Sequence, residues 1–211
     1  MIDYPVQLNL HNKSVVIVGG GKIAERKLLK LLETGAKITV ISPTITNTIK
    51  ANVAQEIVKW KQKEFFSEDI DDAFLIIAAT NSPKINLQVL ESCNDQQLIN
   101  LVDNPVQSNF IVPATITRGK LSISVSTSGA SPGLAKKIIC EIANQYDSSY
   151  ESYIDFLAQC RTEVQQKVAE GEMRSKILKE LLNHCYYDLT KKGLYEERQR
   201  KFQRLFKKYD C

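Results

Sequence analysis

The chain has 211 residues, 43% hydrophobic and 25% charged, which excludes wholesale disorder and suits one fair-sized domain, or a compact domain with an appendage, rather than a multidomain assembly. Lys and Arg number 28 against 24 Asp and Glu, an excess of four that is too small to argue for nucleic acid but leaves a polyanionic small molecule open. The apolar runs 74–79 and 15–18 fall far short of the roughly 18 residues of a membrane span, and Met1-Ile2-Asp3-Tyr4-Pro5 lacks the basic patch and apolar stretch of a signal peptide, so a cytoplasmic protein without a membrane partner is expected.

Five cysteines, Cys93, Cys140, Cys160, Cys185 and Cys211, are odd in number and form no C-x-x-C pair, which fits reduced thiols. The two histidines, His11 and His184, have no second His or Cys pair at ligand spacing, so no metal site is expected.

Three regions follow along the chain. Up to residue 113, short apolar runs alternate with helical stretches, the pattern of βαβ units and a parallel sheet. Strands are expected at 14–18, 37–41, 57–60, 74–79 and 98–102. Between the first two, Ala24, Leu28, Leu31 and Leu32 mark the buried face of a helix, and Gly35 sits where a C-terminal cap belongs. In region 114–146, residues 115–117 and 121–126 alternate as strands around a hairpin turn at Arg118-Gly119-Lys120, and Ser131-Pro132 supplies a cap and first-turn proline for a helix toward Tyr146. Region 147–211 has no strand signal. Tyr153, Leu157, Val164 and Val168 mark one helix face, Gly171 a break, and Ile177, Leu178, Leu181 and Leu182 the next helix. The expected fold is α/β: a Rossmann-type parallel sheet (1–113), a small α+β segment (114–146) and a helical C-terminal region (147–211).

After the first strand, Val18-Gly19-Gly20-Gly21-Lys22-Ile23-Ala24 carries the G-x-G-x-x-A spacing at a strand-to-helix junction. Gly19 permits the tight turn, Gly21 lets a pyrophosphate approach the backbone, Ala24 allows close helix–sheet packing, and the helix N-terminus supplies amides and partial positive charge. The alternative is a glycine-rich turn in an unrelated α/β protein, which the flanking strand and helix lengths oppose. The second strand ends Ser42-Pro43-Thr44, with neither the acid that grips the ribose hydroxyls nor an Arg for a 2′-phosphate, so these residues leave NAD and NADP open.

Ligands of an open parallel sheet bind off the carboxyl ends of its strands. Thr80 and Asn81 end the fourth strand, as loop caps or cofactor contacts. Asp103 ends the fifth, either as a general base or as an Asx turn before Pro105. The stretch 126–131, Ser-Thr-Ser-Gly-Ala-Ser, runs into a helix N-terminus and reads as an anion cradle or as a simple helix start. Tyr187 and Lys191 fit the Tyr-x-x-x-Lys of short-chain reductases but lie in the helical tail, where the match is chance.

The stretches 18–27, 79–81, 100–105, 110–114 and 126–132, in this order, resemble the precorrin-2 dehydrogenases of sirohaem synthesis. That family includes stand-alone dehydrogenases, the dehydrogenase module of sirohaem synthase, and a bifunctional dehydrogenase and ferrochelatase. The resemblance covers about residues 8–139, and the tail matches only in being helical. It implies NAD-dependent oxidation of precorrin-2 to sirohydrochlorin, with a homodimer built on the middle segment. It also implies cofactor contacts at Gly21, Lys22, Ile23, Pro43 and Thr44, joined by Gly19, Ser42, Thr80 and Asn81 from the residue reading, and Asp103 as the key acid. Thr127 stands where sirohaem synthase has a serine reported to carry phosphate. The substrate carries eight carboxylates, for which Arg118, Thr127, Ser128 and Ser131 are candidate contacts, and Arg26, Lys27, Lys136 and Lys137 further counter-charges. Two rival functions are an added ferrochelatase activity, with Asp103 accepting pyrrole protons, and a non-catalytic NAD(H)-sensing module.

Overall fold

The computed structural model describes residues 3–209, so the Cys211 thiol lies outside the described residues. The chain divides into two compact units, residues 1–112 and 113–211.

In the first unit, strands β1 (Ser14–Val18), β2 (Lys37–Ile41), β3 (Val58–Lys61), β4 (Leu75–Ala78) and β5 (Leu98–Leu101) form one parallel sheet in the order β3-β2-β1-β4-β5. The helices between them are α1 (Lys22–Leu31), α2 (Asn47–Ala54) and α3 (Pro83–Glu91). Strands buried on both faces read as unbroken apolar runs, and β1 is the example. Its Val15 and Ile17 join Leu28 of α1 and Ile49 of α2 in one core. Val16 and Val18 face Ile76, Ile99 and Val89 of α3 in the other. The strand order reverses between β1 and β4, so a crevice opens at their carboxyl ends, the ligand position of doubly wound sheets.

Strands β1 and β2 match expectation, while β3 starts one residue late. Glu56 takes φ 58° after α2, and the Ile57 N–H turns back to the Asn52 carbonyl, which leaves Ile57 half exposed and makes Val58 the first residue in register with Ile38. Helix α1 passes through a 3-10 turn at Leu32–Thr34 and ends on Gly35 at φ 70°, the left-handed cap that glycine adopts without strain. At the sheet edge, β5 has its free N–H groups covered by side chains: Ile99 N–H donates to Asn109 Oδ1 (2.8 Å) and Leu101 N–H to Ser108 Oγ (2.9 Å).

The second unit begins with the antiparallel ribbon β6 (Ala114–Arg118) and β7 (Leu121–Val125), on which α4 (Pro132–Gln145) packs. Ser131 caps α4, its Oγ accepting from Leu134 N–H. Four helices follow: α5 (Ser149–Lys167), α6 (Gly171–Glu180), α7 (His184–Lys191) and α8 (Tyr195–Lys208). The tail pattern marks only two helices; α8 has a face of its own, Arg198, Phe202, Leu205 and Phe206 at helical spacing among many charged residues. The buried face of α5 carries Phe156 and Cys160 between Tyr153 and Val164, with Leu157 at its margin. The expected break between the two helices falls at 168–170, with Gly171 opening α6, and Leu182 is 65% exposed because α6 has already ended at Glu180. The four described cysteines are free thiols, and burial pushes Cys93 and Cys160 up to about 11 and about 12. No described helix is long and apolar enough to cross a membrane.

Candidate active site

Three carboxyl-end turns of the sheet build the crevice. In the first, Gly19 takes φ 118°, and a Cβ there would run into the Ala79 carbonyl after β4. Gly20 is closed off as well, by the Thr44 carbonyl and by Ser42 Oγ at 2.9 Å from an added Cβ. Gly21 differs, for a Cβ on it would meet nothing within 4 Å. Gly21 is also the N-cap of α1 with no side-chain cap, whereas Thr46 caps α2 and Ser82 caps α3. The α1 amides and the space before Gly21 are therefore open to an anion, and a pyrophosphate fits both. Ala24 is fully buried against the sheet. Lys22 is exposed and pairs with Glu25 at 3.2 Å, and Ile23 is 41% exposed on the same turn.

The second turn, after β2, rests on the first. Trp60 Nε1 donates to the Ser42 carbonyl (2.9 Å), Gln62 Nε2 to that of Pro43 (3.4 Å), and Thr46 N–H to that of Gly20 (3.0 Å). Pro43 and Thr44 are exposed at its tip. The Thr46 hydroxyl beside Glu25 holds its carboxyl below the usual range, so a negative charge stands next to this loop.

The third part joins the ends of β4 and β5 through Asn86 on α3, which is 1% exposed. Its Oδ1 accepts from the Thr80 backbone N–H (3.1 Å) and from Thr80 Oγ1 (2.8 Å). Its Nδ2 donates to the Thr80 carbonyl (3.3 Å) and to Asp103 Oδ2 (2.9 Å). Asp103 is otherwise exposed, and Asn81 is exposed beside Thr80. The Asx-type bond at this turn belongs to Asn104, whose Oδ1 accepts from Gln107 N–H, and not to Asp103. Beneath the turn, Lys27 Nζ donates to Asn100 Oδ1 (3.1 Å) while Asn100 Nδ2 donates to the Phe110 carbonyl (3.1 Å). Burial, with Lys30 and Arg26 nearby, lowers the Lys27 pKa.

The crevice thus brings together Gly19, Gly21, Lys22, Ile23, Ser42, Pro43, Thr44, Thr80, Asn81 and Asp103 in one unit. Arg118, Thr127, Ser128 and Ser131 belong to the second. There, Arg118 donates to the backbone carbonyls of Tyr146 (3.2 Å) and Thr117 (3.0 Å), with no carboxylate partner among the described residues. Thr127 Oγ1 accepts from Ser131 N–H, and Ser128 stands at φ 46° in the same loop. Tyr187 and Lys191 serve a different purpose from a reductase pair: Lys191 Nζ bonds Asp147 at 2.8 Å, and the Tyr187 hydroxyl lies 3.3 Å from Ser149 Oγ, which staples α7 to the start of α5.

Residues 6–114 match the model of a putative NAD(P)-binding family, 118–145 that of the sirohaem biosynthesis protein central region, and 150–193 that of the SirC C-terminal domain. A precorrin-2 dehydrogenase of Priestia megaterium is 34% identical over 206 residues, which span 98% of this chain and 99% of the relative. The chain belongs to the precorrin-2 dehydrogenase family.

A Bacillus subtilis precorrin-2 dehydrogenase is 36% identical over 74% of this chain and 97% of its own. The solved structure of a precorrin-2 dehydrogenase, SirC, superposes with a TM-score of 0.82 at 35% identity, covering 97% of this chain and all of that one. A sirohaem synthase of Xylella fastidiosa is 31% identical over 92% of this chain, which spans only 41% of that longer protein. As a precorrin-2 dehydrogenase family member the chain is an oxidoreductase with an NAD(P)-binding domain. Sequence reasoning missed Asn86, Gly20 and Trp60. The only signals were a third consecutive glycine and a polar residue inside the first turn after Ser82-Pro83.

Proposed function

We propose that this chain oxidises precorrin-2 to sirohydrochlorin with NAD⁺, as a stand-alone homodimeric dehydrogenase. The observation that carries the reading is the Asp103 carboxylate at the end of β5, tied by one oxygen and exposed at the other, in the same crevice as the open turn at Gly21. Bound NAD⁺ supplies the hydride acceptor. Gly21, Lys22 and Ile23 receive the pyrophosphate, while Ser42, Pro43 and Thr44 line the adenosine side, with Gly19 shaping the turn and Thr80 and Asn81 bordering the nicotinamide side. The reaction removes one hydride and one proton from the macrocycle, and Asp103 Oδ1 takes the proton and passes it to water. In the second unit, Arg118 offers its charge to carboxylates, and Thr127, Ser128 and Ser131 contribute hydroxyls.

The resemblance to the precorrin-2 dehydrogenases supports NAD⁺ over NADP⁺, since Ser42, Pro43 and Thr44 carry neither an acid for the ribose hydroxyls nor an Arg for a 2′-phosphate. The half-covered apolar row of Ile116, Ile123 and Val125 on a two-stranded ribbon supports the dimer, because such a ribbon is marginal without a further surface over it. The deciding experiment is anaerobic incubation of precorrin-2 with NAD⁺, followed by absorbance for NADH and for the chlorin-type product. Absence of both overturns the reading. Equal kcat/KM with NADP⁺ would remove the cofactor choice, and a monomer in sedimentation at micromolar concentration the dimer.

A further inference from the structure

We infer that Asn86 is the positioning residue of the dehydrogenation: its amide orients the Asp103 carboxylate and locks it to the Thr80 loop. The inference rests on the reading of Asp103 as proton acceptor. Asn86 is 1% exposed and uses both ends of its amide.

The amide's orientation follows from its partners. The backbone N–H of Thr80 can only donate, so the atom 3.1 Å from it must be Oδ1. Nδ2 then faces Asp103 Oδ2 at 2.9 Å and must donate to it. Asp103 Oδ2 is thereby occupied as an acceptor, and a proton taken from substrate goes to the exposed Oδ1. Rotation of the carboxylate would break this bond, so the free oxygen keeps one direction.

The support for Asn86 is rigid. It sits in the first turn of α3, where Ser82 caps the helix, Pro83 fixes its start and the Asn86 N–H donates to the Ser82 carbonyl at 3.0 Å. One turn on, fully buried Val89 anchors the helix in the sheet core. The same amide that aims Asp103 also holds both backbone groups of Thr80, so the turn after β4 and the acid after β5 are placed as one piece. Proton acceptance demands such placement to within about half an ångström.

Two variants test this, Asn86→Asp and Asn86→Leu, each alone and combined with Asp103→Asn in the full chain. Asn86→Asp is the sharper one. It keeps an oxygen for Thr80 N–H but replaces the donor toward Asp103 with a like charge or a shared proton, either of which withdraws Asp103 as an acceptor. The expected result for Asn86→Asp is a kcat fall of about 10²-fold that exceeds any change in KM for NAD⁺, in a protein that stays folded at a lowered thermal midpoint, since a buried carboxylate replaces the amide. Added to Asp103→Asn, neither Asn86 variant should cause further loss, because a residue acting through Asp103 has nothing left to position. Full activity of Asn86→Asp, losses that multiply with Asp103→Asn, or a loss carried by KM for NAD⁺ would overturn the inference. If Asp103→Asn alone keeps full turnover, the reading of Asp103 fails instead, and the two failures are told apart in one set of six proteins, the native chain included. Should Asn86→Leu not fold, Asn86→Asp decides alone.

Discussion

The backbone N–H of Thr46 donates to the Gly20 carbonyl across 3.0 Å, so the loop after β2 rests directly on the glycine turn after β1. That contact explains why three glycines stand in a row, each for a different reason. Gly19 bends the chain under Ala79, Gly20 yields room to Thr44 and Ser42, and only Gly21 faces open space. Two of them are required by the fold, and the third is left open to the crevice.

Gly21→Asp should leave the protein folded, since no atom of the chain stands within 4 Å of an added Cβ. The side chain would place a negative charge before the α1 amides, at the proposed pyrophosphate position, and NAD⁺ affinity should be lost. Calorimetric titration with NAD⁺, beside a melting curve, checks both halves. Unchanged affinity would remove the fingerprint from the site.

Gly19→Ala should do the opposite and destabilise. At φ 118° an alanine is strained, and its Cβ would collide with a backbone carbonyl that cannot move without disturbing β4. The expected cost is about 1–3 kcal/mol or more in chemical denaturation. A neutral effect would mean that the turn has room the geometry denies.

Asp103→Asn keeps the shape and an acceptor for Asn86 Nδ2 but removes the proposed proton acceptor. Turnover should fall by about 10² to 10⁴ while NAD⁺ binding and stability survive. Loss of cofactor binding and stability together would make Asp103 structural.

Asp147 ties the start of α5 to α7, and the Lys191 ammonium and Ser149 hydroxyl hold its carboxyl at about 2, down from 3.8. A lowered carboxylate pKa contributes stability above pH 3.8 that is lost as pH falls through the folded value near 2. The stability difference between the native chain and Asp147→Asn should therefore be constant above about pH 4 and close between pH 4 and 2. Its size should stay below about 1 kcal/mol, because water screens the pair. Urea midpoints across that range measure it, and a difference that survives at pH 2 would assign the effect to packing.

The strand β1, the glycine turn, α1, its Gly35 cap and β2 were legible in the sequence, as was the position of Asp103 at a strand end. These features are local. An apolar run of strand length, a helical repeat of buried residues and a glycine cap each reside within a few neighbouring residues, and their physics acts at that range. The tail was less legible because α8 sets few apolar residues among many charges, although the ones it buries, Phe202, Leu205 and Phe206, stand at helical spacing. Arg198 completes that face at 9% exposure, its guanidinium lying 4.1 Å from the Phe156 ring and bonded to Thr190, a burial that the residue type does not announce. Asn86 shows the same limit in the site. By itself it is a polar residue in a helix, and it becomes the link between Thr80 and Asp103 only because the sheet places β4 beside β5 and packs α3 against them. The sequence could place the acid at the end of its strand; the strand order and register decided which buried amide holds it, since a hydrogen bond between residues 17 apart depends on where folding brings the two backbones.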